Sequence, residues 1–592
     1  MSLPHSKMRA PAILVVDNDP EELASIEEEL TRRYGEDYEI VAKRSTTAAL
    51  MTLKKMHEAN QTVAVVLAEH WMEDLAGAEF LAHARRHHPD AKRALLVKWR
   101  AWADRNTAAA ILNAMALGNI DYYVLKPSRA GDELFHRTMS EFLHEWARLN
   151  RPESKEIRIV ANQWSRRGHE IRDQFARSGV PYAFYTTDCE EGRDLLRDAH
   201  ELVKDDQKRS LLEDADTRRA DLAVVYMPDE EPLVNPSEEE VTKAYGLATE
   251  VGERRDFDVI VIGAGPAGLA ASVSASSEGL RTLTIERASI GGQAGSSSLI
   301  RNYLGFSRGV SGAELVQRAY QQAWVFGTNF VLTRSVDELH TEGNRHVVRL
   351  SDGSEATARA VILATGVAYR RLGIPSLEDL HGRGVFYGAS VSESQALARE
   401  DVYIIGGGNS AGQAAMHLCR HARSVTLLIR GSSLAESMSY YLRDQIDQVR
   451  NIDIEFRAEV VDGEGEDRLR RITIRDRDTG ETRPVSAAGL FVMIGARPHT
   501  DWLPDWIERD DWGYVKTGPD AKAAKQEKGF TDQDGHDFQM FETCVPGVFA
   551  VGDMRHGAPK RVASAVGEGS VVVRQVLAYI EGESAPVEAA RT

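Results

Sequence analysis

Short aliphatic runs alternate with amphipathic stretches along the chain. In the first 150 residues the runs lie at 12–16, 63–68, 94–97 and 122–125, and helical patterns separate them. Parallel strands that carry helices on both faces read as continuous apolar runs of this kind. The pattern therefore predicts a doubly wound α/β domain at residues 1–150.

Residues 151–250 show the same alternation on a smaller scale. We expect strands at 157–161, 181–186 and 222–227, and helices at 166–178 and 190–204. Ser237 precedes an acidic run and is predicted to be the N-cap of a last helix. The charged stretch 205–219 favours a solvated helix or loop. A second α/β domain is therefore expected here.

The third region opens on an apolar run that ends in a glycine-rich turn. Residues 259–262 read Val-Ile-Val-Ile, and Gly263, Gly265 and Gly268 follow in a Gly-x-Gly-x-x-Gly pattern. These glycines allow a tight turn, a close approach to a pyrophosphate and close packing of helix on strand. Glu286 lies 18 residues after Gly268, at the end of the next strand, where its carboxylate can accept ribose hydroxyls. This is the pattern of a nucleotide-binding βαβ unit.

A second turn of this type follows the apolar run 402–405. It predicts a second dinucleotide site that includes Gly406, Gly408, Asn409, Ser410 and Ala411.

The strand after this turn, at 424–429, ends in Arg430 and Ser432 rather than in an acid. An arginine and hydroxyls suit the 2′-phosphate of NADP, whereas a carboxylate selects NAD. NADPH is thus the expected nucleotide, with NADH as an alternative, although Arg430 stands alone in this stretch of sequence.

Composition narrows the function classes. The chain has 592 residues, 42% of them hydrophobic, and a formal net charge of −18, which argues against sequence-independent nucleic-acid binding. Its three cysteines are far apart, so neither a disulfide framework nor a thiolate metal cluster is expected. No apolar run is long enough to span a bilayer, and no secretory leader is recognisable. We expect a cytoplasmic protein with no metal site, no membrane contact and no nucleic-acid partner.

Four further pieces complete a family pattern: 291–294 (Gly-Gly-Gln-Ala), 301–306, 361–366 (ending Ala-Thr-Gly) and 543–553 (ending Val-Gly-Asp). With the two glycine turns they resemble thioredoxin reductase-like flavoproteins. The resemblance implies an FAD-binding domain at 256–375 and 495–583, an NAD(P)H-binding domain at 376–494, and a homodimer. It also implies that the helix start within 560–569 faces the flavin's pyrimidine edge.

The glycine turn and the resemblance together predict the following FAD contacts: Gly263, Gly265, Pro266, Ala267, Gly268, Glu286, Gly292, Gln293, Asn302, Thr365, Gly366, Gly552, Asp553, Arg561, Val562 and Ala563.

One departure from that family is decisive. Its members carry Cys-Ala-Thr-Cys before the second glycine turn, and residues 387–393 here read Tyr-Gly-Ala-Ser-Val-Ser-Glu. Dithiol exchange needs two adjacent sulfurs, so no internal relay from flavin to disulfide is expected. Ser390, Ser392 and Glu393 are candidates to stand near the open face of the flavin, and packing alone would explain them equally well.

The first domain resembles a response-regulator receiver, with Asp17, Gly77, Tyr123 and the Lys126-Pro127 pair in matching places. The phosphate-accepting aspartate of that family is replaced by Glu69, a metal-binding acid by Asn18 and the switch hydroxyl by Lys98. We expect a pseudo-receiver that Glu69 locks by pairing with Lys126 or Lys98. The alternative is that Glu69 and Lys98 merely fill a retired site.

The second domain resembles thioredoxin and glutaredoxin. The place of their Cys-x-x-Cys pair reads Gln-Trp-Ser-Arg at 163–166. Without sulfur this turn cannot carry electrons, so a docking or spacing role is expected.

The predicted fold is thus multidomain α/β, with a receiver-like doubly wound sheet, a thioredoxin-like domain and two Rossmann-like domains. The predicted function is an FAD-dependent oxidoreductase that passes electrons from NADPH to an unidentified acceptor or partner protein without an internal disulfide. Two alternatives stay open. The chain is a redox or nicotinamide sensor that signals through the pseudo-receiver, or a disulfide reductase that acts on a partner's cysteines.

Overall fold

A computed structural model describes residues 10–98, 111, 113–115, 118–129, 131–150, 157–213, 221–228, 230–297, 299–388, 396–435, 437–527 and 538–584. The chain forms two compact units, Met1–Lys155 and Glu156–Thr592. No helix in these ranges is long and apolar enough to cross a membrane.

The first unit is built on one parallel sheet of five strands. The strands are β1 (Ala12–Val16), β2 (Glu39–Lys43), β3 (Val63–Glu69), β4 (Lys92–Val97) and β5 (Tyr122–Leu125), in the order β2-β1-β3-β4-β5. Its helices are Pro20–Tyr34, Thr46–Glu58, Gly77–His87 and Glu133–Asn150.

The four strands predicted in this unit are confirmed, and β2 was missed. Strand β2 is a sheet edge on which every residue is exposed or half-buried, so it lacks a continuous apolar run.

The second unit begins with a four-stranded mixed sheet. Its strands are β6 (Ile157–Ala161), β7 (Tyr182–Thr186), β8 (Ala223–Tyr226) and β9 (Leu233–Val234), in the order β7-β6-β8-β9. Strands β6 and β7 are parallel, and the other two pairs are antiparallel. The helices are Arg166–Arg177, Glu190–Leu202, Asp206–Glu213 and Glu238–Ala244. Ser237 caps the last helix in a full capping box with Glu240, which confirms that prediction.

A seven-stranded sheet carries the first glycine turn. It consists of β10 (Asp256–Ile262), β11 (Thr282–Glu286), β12 (Asn329–Leu332), β13 (Val336–Glu342), β14 (Arg345–Leu350), β15 (Glu355–Leu363) and β26 (Val548–Ala550). The order is β12-β11-β10-β15-β14-β13, with β26 paired to β15. Helices Pro266–Ser277, Gly312–Val325, Gly518–Glu527 and Val562–Ser584 and short 3-10 turns at Gly292–Ser296 and Gly552–Met554 belong to this region.

The second glycine turn belongs to a separate parallel sheet. Its strands are β17 (Val385–Tyr387), β18 (Asp401–Ile405), β19 (Ser424–Ile429), β20 (Ile452–Phe456) and β24 (Gly489–Val492), in the order β17-β24-β18-β19-β20. Between β20 and β24 the chain forms an antiparallel sheet of β21 (Ala458–Gly465), β22 (Leu469–Asp476) and β23 (Thr482–Ser486). The helices are Pro375–Glu378, Asn409–Leu418 and Tyr440–Asp447.

Two short strands join these nucleotide-binding parts. Strand β16 (Val367–Tyr369) leads out of the first part, β25 (Ala496–Pro498) returns to it, and the two pair antiparallel. The chain therefore crosses between the parts at one narrow place.

The seven-stranded sheet depends on the packing of Phe549. This residue lies on β26, is fully buried, and packs in one cluster with Val261 and Val572. We predict that Phe549→Ala lowers the stability of the second unit by about 3–5 kcal/mol, because it leaves a cavity that the sheet cannot close. Phe326→Ala is the matched control, since Phe326 is 47% exposed. Urea unfolding followed by circular dichroism measures both, and equal losses would contradict the assignment.

Candidate active site

A cavity of about 510 Å³ lies at the carboxyl end of β10, where the first glycine turn meets the other elements of the second unit. Its volume is in the usual range for cofactor sites. Of the residues predicted to bind FAD, it is lined by Gly265, Pro266, Ala267, Glu286, Gly292, Gln293, Thr365, Gly366, Gly552, Asp553, Arg561 and Val562.

The backbone of the glycine turn leaves room for a phosphate. Gly263 has a φ of 109°, and a Cβ there would lie 2.3 Å from the carbonyl oxygen of Ala364. A Cβ on Gly268 would lie 1.8 Å from the carbonyl oxygen of Gly263. A Cβ on Gly265, in contrast, would meet nothing within 4 Å. Gly263 and Gly268 therefore pack the turn, and Gly265 borders open space at the positive end of the helix Pro266–Ser277.

Glu286 is fixed beside this turn by backbone donors. The N–H of Ala264 donates to its Oε2 at 2.7 Å, and the N–H of Ala288 donates to its Oε1 at 3.0 Å. Burial raises the pKa of this carboxyl, against the effect of these hydrogen bonds. The carboxyl group is therefore held in one orientation at the cavity wall.

Asp553 and Lys560 also line the cavity. Burial raises the pKa of the Asp553 carboxyl, and the Lys560 ammonium opposes that shift. Burial also lowers the pKa of Lys560, whose Nζ donates to the backbone oxygen of Asp553. The helix Val562–Ser584 begins here, so its positive end faces the cavity.

Some predicted FAD contacts do not line the cavity. Gly263 and Gly268 shape the glycine turn instead. Asn302 and Ala563 are exposed and are not among the residues that line the cavity. Asn302 follows Ile300, which bridges Val310 and closes a loop that leaves Asn302 in solvent. The candidates Ser390, Ser392 and Glu393 lie outside the described residues.

Several side chains of the cavity were missed by the sequence reasoning. Tyr369, His381, Phe386 and Tyr387 come from the connecting strand β16 and the second nucleotide-binding part. Others come from the helix Arg166–Arg177, which we call the bridging helix. No local pattern marks such residues, because only tertiary packing brings them to the site.

The second glycine turn has the same close backbone packing as the first. Gly406 has a φ of 137°, and a Cβ there would lie 2.3 Å from the carbonyl oxygen of Met493. The side chain of Asn409 accepts from the N–H of Ser439 at 2.8 Å, which fixes the start of the helix Asn409–Leu418. Ser410 alone of the predicted NADPH residues also lines the cavity described above.

Arg430 does not stand alone, and this corrects the expectation from sequence. It is exposed at the end of β19, and the Arg477 guanidinium donates to its backbone oxygen at 3.1 Å. The N–H of Arg457 donates to the carbonyl oxygen of Gly431 at 3.1 Å. The turn before Ser432 is therefore contacted by the Arg477 side chain and by the backbone of Arg457.

The first unit holds a buried ion cluster at the carboxyl ends of its strands. Lys126 lies among the carboxylates of Asp17, Glu22 and Glu69, with its Nζ 2.7 Å from Asp17 Oδ2. Burial disfavours the ammonium, but hydrogen bonds to these acids raise the pKa of Lys126 above its usual range. The predicted pair of Glu69 with Lys126 is confirmed. Lys98 instead pairs with Glu22, at 2.6 Å.

This geometry places an ammonium where three acidic oxygens converge. One oxygen from each of the three acids lies within 4.8 Å of the others. The lysine neutralises a pocket whose donor set would otherwise suit a hard cation.

Two nucleotide turns, one on a mixed sheet and one on a parallel sheet, with one cavity beside them, are the arrangement of a two-dinucleotide-binding protein. A family model described as pyridine nucleotide-disulphide oxidoreductase matches residues 257–569. The chain belongs to this family and is an NAD(P)H-dependent flavoprotein oxidoreductase of thioredoxin reductase-like type.

Individual relatives match the same part of the chain. A 34.2 kDa protein in the rubredoxin operon of Clostridium pasteurianum is 30% identical over 331 residues, which is 56% of this chain and 99% of that protein. Thioredoxin reductase of Treponema pallidum is 32% identical over 328 residues, 55% of this chain and 98% of that enzyme. The crystal structure of Lactococcus lactis thioredoxin reductase superposes with a TM-score of 0.49 at 26% identity, over 55% of this chain and 99% of that one.

The residues present fit the FAD that the family implies. The open space at Gly265, the fixed carboxyl of Glu286 and the half-buried Asp553 all border one cavity, where they would hold the pyrophosphate, the adenosine ribose and the ribityl chain.

We predict that Gly265→Ala folds normally and loses FAD. An added Cβ meets no protein atom, so thermal stability of the apoprotein should stay unchanged, but the methyl group occupies the space for the pyrophosphate. The dissociation constant for FAD should rise about tenfold or more. Gly252→Ala is the control, because a Cβ there also meets nothing within 4 Å. Fluorescence titration of the apoprotein measures both, and equal affinities would contradict the prediction.

We predict that Lys126→Met destabilises the first unit by about 3–5 kcal/mol at neutral pH, because three clustered carboxylates lose their cation. The loss should shrink as pH falls toward about 4, where protonation relieves the repulsion. Lys98→Met is the control, since Lys98 is 60% exposed and contacts one of these acids.

Thermal melting with and without Mg²⁺ measures both variants. Mg²⁺ should stabilise only Lys126→Met, and a variant as stable as the wild type at pH 7 would contradict the prediction.

Proposed function

We propose that the chain takes a hydride from NADPH onto bound FAD and passes the electrons directly to an acceptor, without an internal redox disulfide. Family membership supports the flavoprotein chemistry. The acceptor, the direct transfer and the preference for NADPH are the parts that this proposal adds.

One observation carries the proposal. Ser410, at the start of the helix after the second glycine turn, lines the same cavity as Gly265 and Asp553. The two nucleotide sites therefore open into one space. A nicotinamide held at the second turn can approach a flavin held at the first without passing through another redox centre.

Bound FAD supplies the hydride chemistry at its N5 atom. The protein's part is to hold and orient the cofactor. The turn at Gly265 offers backbone donors, and Glu286 offers an acceptor for the ribose. Asp553 would hold the ribityl chain, and the positive end of the helix Val562–Ser584 would stabilise negative charge on the flavin.

The positions of sulfur support direct transfer. None of the three cysteines lines the described part of the cavity. Cys189 caps the helix Glu190–Leu202, Cys419 ends the helix Asn409–Leu418, and Cys544 donates to the backbone oxygen of Trp506. They lie in three different elements, so they do not form the adjacent pair that dithiol exchange needs.

The arginines around Ser432 support NADPH as the donor. The Arg477 guanidinium adds positive charge beside Arg430, and β19 ends without a carboxylate. A 2′-phosphate gains from this environment, whereas NADH has no group to place there.

We predict that wild-type protein is reduced faster by NADPH than by NADH, and that Arg430→Ala removes the difference. The variant should bind NADPH about tenfold more weakly or worse, because it loses a charge-assisted contact to the 2′-phosphate. NADH should be unaffected. Anaerobic stopped-flow absorbance of the flavin at several nucleotide concentrations measures both.

Arg471→Ala is the matched control. Arg471 is an exposed arginine on β22 that pairs with Glu464, away from the nucleotide turn. If wild-type protein shows no preference between the nucleotides, the assignment of NADPH is wrong. If neither nucleotide reduces the flavin, the oxidoreductase proposal itself fails.

A further inference from the structure

We propose that the bridging helix is a wall of the flavin site, and that it limits the acceptor to small two-electron acceptors such as quinones. This inference rests on the proposed function. It assigns residues 157–250 a role in acceptor selection that the family resemblance does not supply, because the family model begins at residue 257.

The bridging helix packs tightly on the FAD-binding part. A Cβ on Gly295 would lie 2.5 Å from the backbone oxygen of Arg177, so the end of the helix touches that turn. Just after the helix, a Cβ on Gly179 would lie 2.7 Å from the backbone oxygen of Ala313. Nearby, Arg334 forms a two-point ion pair with Glu239, at 2.6 and 2.7 Å.

The start of the same helix packs on the second nucleotide-binding part. Trp164 packs against the core of that part, and the Arg468 guanidinium lies 5.0 Å from the centre of its ring. The ring of His169 lies 5.3 Å from that of Phe386. A Cβ on Gly382 would lie 3.3 Å from Cα of Arg166. The helix therefore spans both nucleotide-binding parts.

Between these anchors the helix faces the cavity. His169, Glu170, Asp173, Gln174 and Arg177 all line it.

The bridging helix also acts on Tyr369, another residue of the cavity lining. Burial raises the pKa of its phenol, and the charges of Asp173, Arg177 and Asp553 all act on it. Asp173 of the bridging helix and Asp553, which is predicted to hold the ribityl chain, thus line the same cavity and both act on this phenol.

The turn that starts the helix explains why this wall cannot itself accept electrons. Residues 163–166 occupy the place where the thioredoxin family carries its cysteines, and they contain no sulfur. Strand β17, whose Phe386 contacts this helix, leads into the stretch where reductases of the family carry theirs. The bridging helix, whose first turn has no cysteine, thus packs beside the strand that leads into this stretch.

The chemistry on a quinone balances without a further reactant. Reduced flavin gives up two electrons and a proton, the solvent supplies a second proton, and the quinone becomes a hydroquinone. Burial lowers the pKa of His381, on the cavity wall, to about 4, so its imidazole is neutral at pH 7. His381 therefore adds no charge to this wall.

The first test disturbs the packing of the bridging helix on the two nucleotide-binding parts. Gly295→Ala places a methyl group against the backbone of Arg177 and should displace the helix. Trp164→Ala loosens the other anchor, and Gly252→Ala is the control because its Cβ meets nothing within 4 Å. The full-length, NADPH-reduced holoprotein is mixed anaerobically with menadione or with cytochrome c, and flavin reoxidation is recorded.

Wild-type protein and the control should react with menadione at least about 100-fold faster than with cytochrome c. Gly295→Ala and Trp164→Ala should each raise the rate of flavin reoxidation by cytochrome c about tenfold. Each should leave the rate with menadione within about twofold of that of the control. The inference would be overturned if wild-type protein reduced both acceptors at similar rates. It would also be overturned if Gly295→Ala and Trp164→Ala reduced cytochrome c no faster than the control. The proposed function survives that result, because reduction by NADPH is recorded separately.

The second test does not depend on turnover. Asp173→Cys, on the cavity side of the helix, is labelled with N-ethylmaleimide in apoprotein and in FAD-loaded protein. FAD should slow labelling about tenfold if the helix faces the flavin. Glu201→Cys, exposed on the helix Glu190–Leu202, is the control and should not respond. Equal labelling of Asp173→Cys in both forms, after subtraction of the native cysteines, would exclude the wall.

Discussion

The close packing at the first glycine turn is the constraint on which the rest of the site depends. Gly263 and Gly268 hold strand, turn and helix so tightly that no side chain fits at either position. This packing aims the start of the helix Pro266–Ser277 at the open space beside Gly265 and brings Ala264 within reach of Glu286. A similar turn at Gly406 places Ser410 at the same cavity. In the proposed mechanism, these two backbone geometries hold the flavin and the nicotinamide at one cavity.

Sequence reasoning found what local patterns encode. The glycine turns and the end of β11 at Glu286 were predictable, because strand, turn and acid follow one another closely. Asn302 stays a prediction, because its side chain is exposed and is not among the residues that line the cavity. The grouping of Arg457 and Arg477 with Arg430 was invisible, because it arises from pairing between distant strands. The walls of the cavity were missed for the same reason.

The packing of residues 157–250 on the nucleotide-binding parts fits the absence of cysteines at 163–166 and 387–393. A relay through a disulfide requires a redox turn that meets a protein partner, and this chain has no cysteine at 387–393 or at 163–166. We propose that the absence of that route leaves room for the bridging helix to pack against both nucleotide-binding parts, with Trp164 as its anchor on the second. In the first unit, the Lys126 ammonium occupies a pocket whose three acids would otherwise suit a metal cation.

The central claim is that electrons stop at the flavin and leave it directly. Anaerobic titration of the purified holoprotein with dithionite tests this, because a redox disulfide would take up two electrons beyond those taken by FAD. We predict that one equivalent of dithionite, two electrons per FAD, completes the reduction and exposes no new thiol. Uptake of two equivalents, with new thiols that react with a maleimide, would show a hidden disulfide and contradict the account.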